Sequence, residues 1–232
     1  MLRVKDSKIY TNNIILGAKT VAIEMYLAGL VFASYLAGSV SFAVVVSKGM
    51  SLPSPYSYGS ENPGATNVLR TGNKLAALCT LLGDMAKGFL AVEFLPLCLI
   101  PSTVLLGYEP VVTGLALIGV FLGHVFPVFH RFKGGKGVAT AAGGLLAVNV
   151  LVGFSILSIW LVVSLVFRYS SIAAIVASLA APFAVFWFTQ QLNLTYLVLA
   201  VSVILLLRHK ANIANLLNGT ESKIGKKKTS NS

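Results

Sequence analysis

Long stretches without a charged residue are the feature that most limits what this chain can fold into. Residues 148–167 carry no charge, and residues 172–207 contain no Lys, Arg, Asp, Glu or His. About 20 apolar residues are enough for a helix to cross a bilayer. Only 11% of the 232 residues are charged, against about 25% in soluble domains. The sequence therefore predicts an all-α, polytopic membrane protein.

Seven apolar segments are candidate transmembrane helices. Their predicted bounds are 25–46, 75–96, 111–130, 138–154, 153–168, 172–188 and 192–208. The run 138–168 is also compatible with one long tilted helix, but Gly153 near its middle allows a tight return of the chain. The choice between these alternatives changes both the number of spans and the topology.

The basic residues favour seven spans and predict an orientation. With seven, four polar stretches share one face, at 47–74, 131–137, 168–171 and 208–232, and they hold 13 of the 18 Lys and Arg residues. The loops of the opposite face hold none, whereas a single 138–168 span would divide the basic loops between the faces. Because basic loops stay in the cytoplasm, we expect the amino terminus outside and the carboxyl terminus in the cytoplasm.

The predicted layout is an amino-terminal extension at 1–24, a seven-helix membrane domain at 25–210 and a basic cytoplasmic tail at 211–232. The extension disagrees with this orientation, because its four basic residues would lie outside the cell rather than in the cytoplasm. Either it is a tolerated exception or the chain starts at Met25. The net charge of +11 resides in short loops rather than in a polar domain, so we do not expect a nucleic-acid partner. The lysines at 226–228 either lie near anionic lipid headgroups or are simply solvated.

A polar, glycine-rich stretch at 58–70 is the first candidate for chemistry. Glycines let backbone N–H groups approach an anion, and the Arg70 guanidinium suits a phosphate or a carboxylate. The other side-chain donors of the stretch are Ser60, Asn62, Thr66 and Asn67. A plain connecting loop with Asn and Gly in turns is the alternative. A connector does not need this density of donors, so we expect an anion site.

A second glycine-rich stretch, at 132–140, leads directly into an apolar segment. Backbone N–H groups at a helix amino terminus with a lysine nearby form a phosphate cradle. The expected contributors are Gly134, Gly135, Lys136 and Gly137. The spacing does not fit a nucleotide-binding P-loop. A flexible basic loop is the alternative.

Two shorter stretches on the same face add further candidates. Ser170 and Ser171 either cap the next helix or donate to a ligand. His209 and Asn212 are three residues apart and share a helix face, and a histidine can take a proton from a hydroxyl. An interfacial histidine beside lipid headgroups is the alternative.

Charged residues inside the predicted spans also stand out. Asp84 and Lys87 are three residues apart, and intramembrane charges face the protein interior and pair. We expect a structural pair near the cytoplasmic site. His124 is either a ligand or a packing residue near a helix end. The sequence shows no cluster of metal ligands, so neither a metal nor another cofactor is expected.

Together these stretches resemble the bacterial acyl-phosphate:glycerol-3-phosphate acyltransferase family (PlsY type). The matching segments, in the family's order and spacing, are 38–42, 59–70, 84–88, 123–129, 132–140, 169–171, 208–213 and 219–221. The resemblance implies acyl transfer from an acyl phosphate to the 1-hydroxyl of glycerol 3-phosphate, without coenzyme A. The product would be 1-acylglycerol 3-phosphate (lysophosphatidic acid), for phospholipid synthesis at the cytoplasmic face of a bacterial inner membrane.

The resemblance also assigns residues by position. Those that would line the site are Ser60, Asn62, Asn67, Arg70, Lys136, Ser171, His209, Asn212 and Glu221. We assign the chemistry to Arg70, Lys136, His209 and Asn212, and substrate binding to the others. The family usually has Gly where this chain has Glu61, and a carboxylate beside a phosphate must point away or pair with a base.

Two other functions compete with this reading. A transporter for a phosphorylated solute would bind near the bilayer midplane on broken helices, whereas here the donors cluster at one face. An acyltransferase that uses coenzyme A would need a His-x-x-x-x-Asp signature, which is missing. We expect a monomer whose partners are the two substrates and membrane lipids.

Overall fold

The computed structural model describes residues 2–224, and for residues 2–16 and 18 it describes the backbone alone. This part of the chain is all-helical. Its α-helices are α1 Leu2–Ser39, α2 Phe42–Gly49, α3 Ala65–Val68, α4 Lys74–Leu99, α5 Ser102–Leu105, α6 Glu109–Val125, α7 Val138–Val148, α8 Val150–Phe167, α9 Ser170–Thr189, α10 Leu192–Arg208 and α11 Lys210–Leu217. Short 3-10 helices cover Leu69–Thr71 and Val128–His130.

Five helical segments among the described residues are long and apolar enough to cross a membrane. They are Lys19–Gly49, Lys74–Leu99, Glu109–His130, Val150–Phe167 and Ser170–Thr189. The bent pair α10 and α11 gives a sixth if it is counted as one span. The chain is therefore a multi-pass membrane protein with five or six segments of spanning length, fewer than the seven predicted.

The fourth predicted span accounts for much of this difference. Helix α7 has only 11 residues, so its length is about 16 Å, shorter than the ~30 Å hydrocarbon core. The break that follows it lies at Asn149, whose side chain accepts hydrogen bonds from the amides of Leu151 and Val152. The predicted return at Gly153 is wrong. Gly153 lies inside α8, where its missing side chain lets Leu146 of α7 pack closely.

The first predicted span is also broken. Helix α1 ends at Ser39 and α2 begins at Phe42. At its other end α1 runs through Met25 without interruption, so the predicted boundary between residues 24 and 25 coincides with no break in the helix.

Small residues let the central helices approach one another closely, as is common in membrane proteins. A Cβ on Gly123 of α6 would overlap the Tyr35 carbonyl of α1, and a Cβ on Gly88 of α4 would overlap the Thr140 carbonyl of α7. The core around α6 includes Leu117, Val120 and Phe121, all fully buried. This packing brings the ends of several helices together beneath the polar loops.

Candidate active site

The polar loops converge on a cavity of about 550 Å³ at one end of the helix bundle. The first loop runs from Pro55 to Arg70, and the second from Phe126 to Gly137. The remaining wall comes from the junction of α10 and α11 and from residues 220–222. The cavity therefore lies between the two glycine-rich stretches that the sequence singled out.

Asn67 holds the first loop in shape. Its side chain is 2% exposed. Its Oδ1 accepts hydrogen bonds from the backbone N–H (3.0 Å) and the hydroxyl (3.2 Å) of Ser60, and its Nδ2 donates to the carbonyls of Pro55 (2.9 Å) and Tyr58 (3.2 Å). Asn67 is therefore a scaffold for the loop, and it does not line the cavity.

Arg70 lines the cavity, and its guanidinium has a protein partner. Its Nη2 donates to the Ser222 hydroxyl over 2.7 Å. The backbone N–H of Ile224 in turn donates to the Arg168 carbonyl over 2.7 Å. Residues 218–224 thus fold back onto the cavity from α11. The predicted cluster of lysines at 226–228 lies outside the described residues.

The second loop is fixed by close packing and by hydrogen bonds to its carbonyls. A Cβ on Gly135 would overlap the His124 side chain, and one on Gly137 would overlap the Phe121 ring. From the cavity side, Arg208 Nη2 donates to the carbonyls of Gly134 (3.1 Å) and Gly135 (3.4 Å). The loop has no room for side chains at these glycines.

A hydrogen bond also joins the two loops directly. The Tyr56 hydroxyl of the first loop donates to the Lys133 carbonyl of the second over 2.9 Å, and both residues line the cavity. This hydrogen bond is one contact that sets the separation of the two loops.

Lys136 begins a chain of polar side chains along the cavity wall. Its ammonium donates to Asn212 Oδ1, and Asn212 Nδ2 donates to Glu221 Oε1 over 2.7 Å. The Ser171 hydroxyl donates to the same Glu221 oxygen over 2.7 Å. Burial lowers the pKa of Lys136 to about 8, helped by the nearby cations Arg70 and Arg208 and opposed by Glu221. The charge of Lys136 is thus sensitive to mildly alkaline pH.

His209 lies behind the wall rather than on it. Its side chain is buried, with 2% of the residue exposed, and its Nδ1 lies 2.9 Å from the Leu205 carbonyl. Burial lowers the pKa of His209 to about 4, so the ring is neutral at pH 7. Because a carbonyl only accepts, Nδ1 carries the proton and Nε2 holds the lone pair.

The wall of the cavity has an excess of positive charge. Four cations line it, Arg70, Lys133, Lys136 and Arg208, against two carboxylates, Glu61 and Glu221. Glu61 is exposed and has a φ of 54°. That left-handed conformation is one that favours glycine. Such a wall suits an anionic ligand.

The structure brings seven of the thirteen predicted site residues onto the cavity wall: Ser60, Asn62, Arg70, Gly134, Lys136, Asn212 and Glu221. Asn67, Gly135, Gly137, Ser171 and His209 are buried behind the wall. Thr66 is exposed and lies outside the cavity wall. Sequence reasoning missed Arg208 and Tyr56 as lining residues. The position of Arg208, at the end of an apolar segment beside His209, was the available signal for it.

Asp84, Lys87 and His124 form a buried cluster under the second loop. Lys87 Nζ lies 2.9 Å from Asp84 Oδ1, and His124 Nδ1 lies 3.6 Å from the same oxygen. The expected pair of Asp84 and Lys87 is thus present in the structure. His124 lies outside the cavity wall.

Comparison with known proteins agrees with this geometry. The family model described as "Glycerol-3-phosphate acyltransferase" matches residues 28–219. A glycerol-3-phosphate acyltransferase of Cupriavidus necator is 55% identical over 206 residues, which cover 87% of this chain and 99% of the relative. One of Ralstonia pickettii is 56% identical over 196 residues, covering 84% of this chain and 93% of the relative.

Solved structures support the same relationship. The chain resembles crystal structures of PlsY (YgiH), an integral membrane glycerol 3-phosphate acyltransferase, at 32% identity. The TM-score is 0.76 for its glycerol 3-phosphate form and 0.75 for its lysophosphatidic acid form. The first match covers 86% of this chain and 96% of the crystallised chain. With its sequence, its fold and its cationic cavity in agreement, this chain belongs to the glycerol-3-phosphate acyltransferase family.

Proposed function

We propose that this protein transfers an acyl group from an acyl phosphate to the 1-hydroxyl of glycerol 3-phosphate, giving lysophosphatidic acid. The observation that carries the proposal is the cavity between two glycine-rich loops, with four cationic side chains on its wall, in a member of this family. Both substrates carry a phosphate, so the reaction needs two anion cradles close together. The cavity offers one on each loop.

The chemistry requires exchange of one bond at the acyl carbon. The glycerol hydroxyl oxygen bonds to that carbon, the bond from the carbon to the phosphate oxygen breaks, and inorganic phosphate leaves with the hydroxyl proton. Acyl phosphates are already activated, so no covalent enzyme intermediate is needed. Arg70 and Lys136, on opposite loops, would neutralise phosphate charge and the negative charge that develops on the acyl oxygen.

Asn212 and His209 would orient the attacking hydroxyl. Asn212 lines the cavity and is held by Lys136 on one side and Glu221 on the other. His209 is neutral and buried one turn earlier, so its position favours an orienting role over direct contact with the substrate. Ser60, Asn62 and the amides of the second loop would bind the phosphate oxygens.

The finer membrane topology is part of the proposal. Seven helices, α1, α4, α6, α7, α8, α9 and α10, would form the bundle with the amino terminus outside the cell. The cavity would face the cytoplasm at a bacterial inner membrane, because the basic loops gather at that end. We also expect a monomer.

The lengths of α7 and α8 suggest how deep the cavity lies. With 11 and 18 residues, they measure about 16 and 27 Å. If they form a hairpin from a common turn at Asn149, the second loop lies about 10 Å below the level at which α8 ends. That depth would bring the phosphates close to the level of the acyl chains.

An apolar groove of about 400 Å³ between α9 and α10 is the proposed location of the donor's acyl chain. It is lined by residues including Ser178, Phe186 and Leu206. Leu206 lies two residues before Arg208, so along α10 the groove ends at the depth of the cationic wall, with the two side chains on roughly opposite faces of the helix. A bulky residue at Ser202, which also lines the groove, should reduce the rate with long-chain donors more than with short-chain donors.

The test is a donor comparison with the purified protein in detergent and glycerol 3-phosphate present. We expect lysophosphatidic acid and inorganic phosphate to form in equal amounts with acyl phosphate, and no product with acyl-coenzyme A. Uptake of glycerol 3-phosphate into proteoliposomes, without any acyl transfer, would instead support a transporter and contradict the proposal.

A further inference from the structure

The buried cluster of Asp84, Lys87 and His124 connects three helices beneath the cavity. The three residues are 2%, 6% and 7% exposed. Besides pairing with Asp84, Lys87 donates to the carbonyls of Gly38 (3.0 Å) and Val40 (2.7 Å) at the break between α1 and α2. These carbonyls have no helical partner at a chain break. The cluster therefore fixes α4, α6 and the end of α1 relative to one another.

His124 extends this connection to the second loop. Its carbonyl accepts a hydrogen bond from the Gly135 N–H over 3.1 Å. The imidazole ring has Nδ1 on the side of Asp84 and Nε2 against Gly135, where a Cβ would overlap the ring. The ring thus stands between a buried carboxylate and the backbone that leads directly into Lys136.

We propose that His124 is a positioning residue, whose ring, packed between Asp84 and Gly135, sets the position of the Gly135 backbone and thereby of the Lys136 ammonium. This inference rests on the proposed function, because it gives Lys136 the task of binding a substrate phosphate. The cavity does not include His124, so its effect on catalysis passes through the loop. Replacing the ring with a smaller side chain should move the loop. A side chain at Gly135 should be tolerated only together with that replacement.

Gly134 supplies a matched control for this steric relationship. A Cβ there would overlap the backbone carbonyl of His124 and the side chain of Pro127. Those atoms remain when the His124 side chain is changed. A smaller residue at position 124 should therefore relieve a substitution at Gly135 and leave a substitution at Gly134 as harmful as before.

The experiment measures KM and kcat for acyl transfer in wild type, Gly135→Ala, His124→Asn, Gly134→Ala and the two double variants. The amide of His124→Asn keeps a donor near Asp84 but removes the ring atoms that face Gly135. We expect Gly135→Ala to raise the KM of a phosphate substrate about 30-fold, and Gly135→Ala/His124→Asn to recover about tenfold of that loss. Gly134→Ala/His124→Asn should recover nothing.

Thermal unfolding in detergent separates positioning from stability, because rescue of KM without a rescue of the unfolding midpoint is what a positioning role predicts. If His124→Asn does not fold, His124→Ala takes its place. Failure of the smaller residue to rescue Gly135→Ala would overturn the inference, as would equal rescue of Gly134→Ala. An inactive wild-type protein would instead refute the proposed function.

Discussion

The two loops that face each other across the cavity are held by different means. In the first loop, the buried amide of Asn67 makes four hydrogen bonds, which fix the backbone from Pro55 to Ser60. In the second, the backbone at Gly134, Gly135 and Gly137 lies against other residues so closely that no Cβ fits. The first loop depends mainly on a side chain, although a Cβ on Gly59 would also overlap Asn67, and the second depends on the absence of side chains.

This difference predicts different tolerances to mutation. The first loop can accept an unusual residue at an exposed position such as Glu61, provided that Asn67 remains. The second cannot accept even an alanine without moving its neighbours. The cation of each loop, Arg70 or Lys136, should therefore be sensitive to a different kind of change.

The largest expected effect is on Lys136 itself. Replacing it with Ala removes the half-buried cation of the second loop, and losses of about 100-fold or more are typical when a group that stabilises transition-state charge is removed. The measurement is the initial rate of acyl transfer. Lys210→Ala is the matched control, because Lys210 is exposed and lies outside the cavity wall, and it should keep the wild-type rate.

The second prediction concerns pH. The pKa of Lys136 is lowered to about 8, so its charge is present below pH 8 and is lost as the pH rises through that value. If phosphate binding needs the charge, kcat/KM should fall about tenfold between pH 7 and pH 9. Lys136→Arg should abolish this fall, since arginine stays charged. A flat profile in the wild type would show that the charge of Lys136 is not needed.

Asn67→Ala should have a smaller effect that is specific to the first loop. It leaves the carbonyls of Pro55 and Tyr58 without their donor, and an unmet buried polar group costs about 1–3 kcal/mol. We expect a severalfold higher KM together with a lower unfolding midpoint. Asn73→Ala is the control: Asn73 caps α4 by accepting from the Ala76 N–H, so its loss should reduce stability but leave KM unchanged.

The smallest effect is expected at Glu61. Glu61→Gly removes a negative charge from the cavity wall and a side chain from a left-handed backbone, which costs about 1 kcal/mol for most residues. The KM for a phosphate substrate should fall by a small factor. Ser51 has the same backbone conformation, with a φ of 53°, but does not line the cavity. Ser51→Gly should therefore leave KM unchanged, and an equal change in KM would refute the electrostatic explanation.

The sequence was sufficient to predict the long helices and the two loops. Uncharged runs of membrane length have few possible structures other than a transmembrane helix. Helix α10, for example, has the predicted bounds, Leu192–Arg208. The predicted turn at Gly153 was wrong because backbone freedom is only one way to end a helix. Asn149 follows the end of α7 and caps the start of α8 with its side chain. Gly153 instead allows close packing between the two helices. A short apolar helix such as α7 cannot be separated from its neighbour by hydropathy alone.

The sequence was sufficient to predict which segments form the candidate site, but not which of their residues line the cavity. Motif positions identified Lys136, Asn212 and Glu221, which the structure joins by hydrogen bonds. Which side of the wall a residue occupies depends on tertiary packing. Asn67 and His209 are polar residues buried behind it, because one holds a loop and the other bonds to a helix carbonyl. No spacing in the sequence distinguishes such residues from those that face a ligand.

A binding competition tests most directly the proposal that one cavity holds two phosphates, one at each loop. A non-transferable acyl phosphonate replaces the acyl phosphate, and equilibrium binding of radiolabelled glycerol 3-phosphate is measured with and without it. We predict that saturating phosphonate changes the Kd of glycerol 3-phosphate by no more than about threefold, because the two ligands occupy separate cradles. Displacement of glycerol 3-phosphate in proportion to the phosphonate concentration would contradict the account.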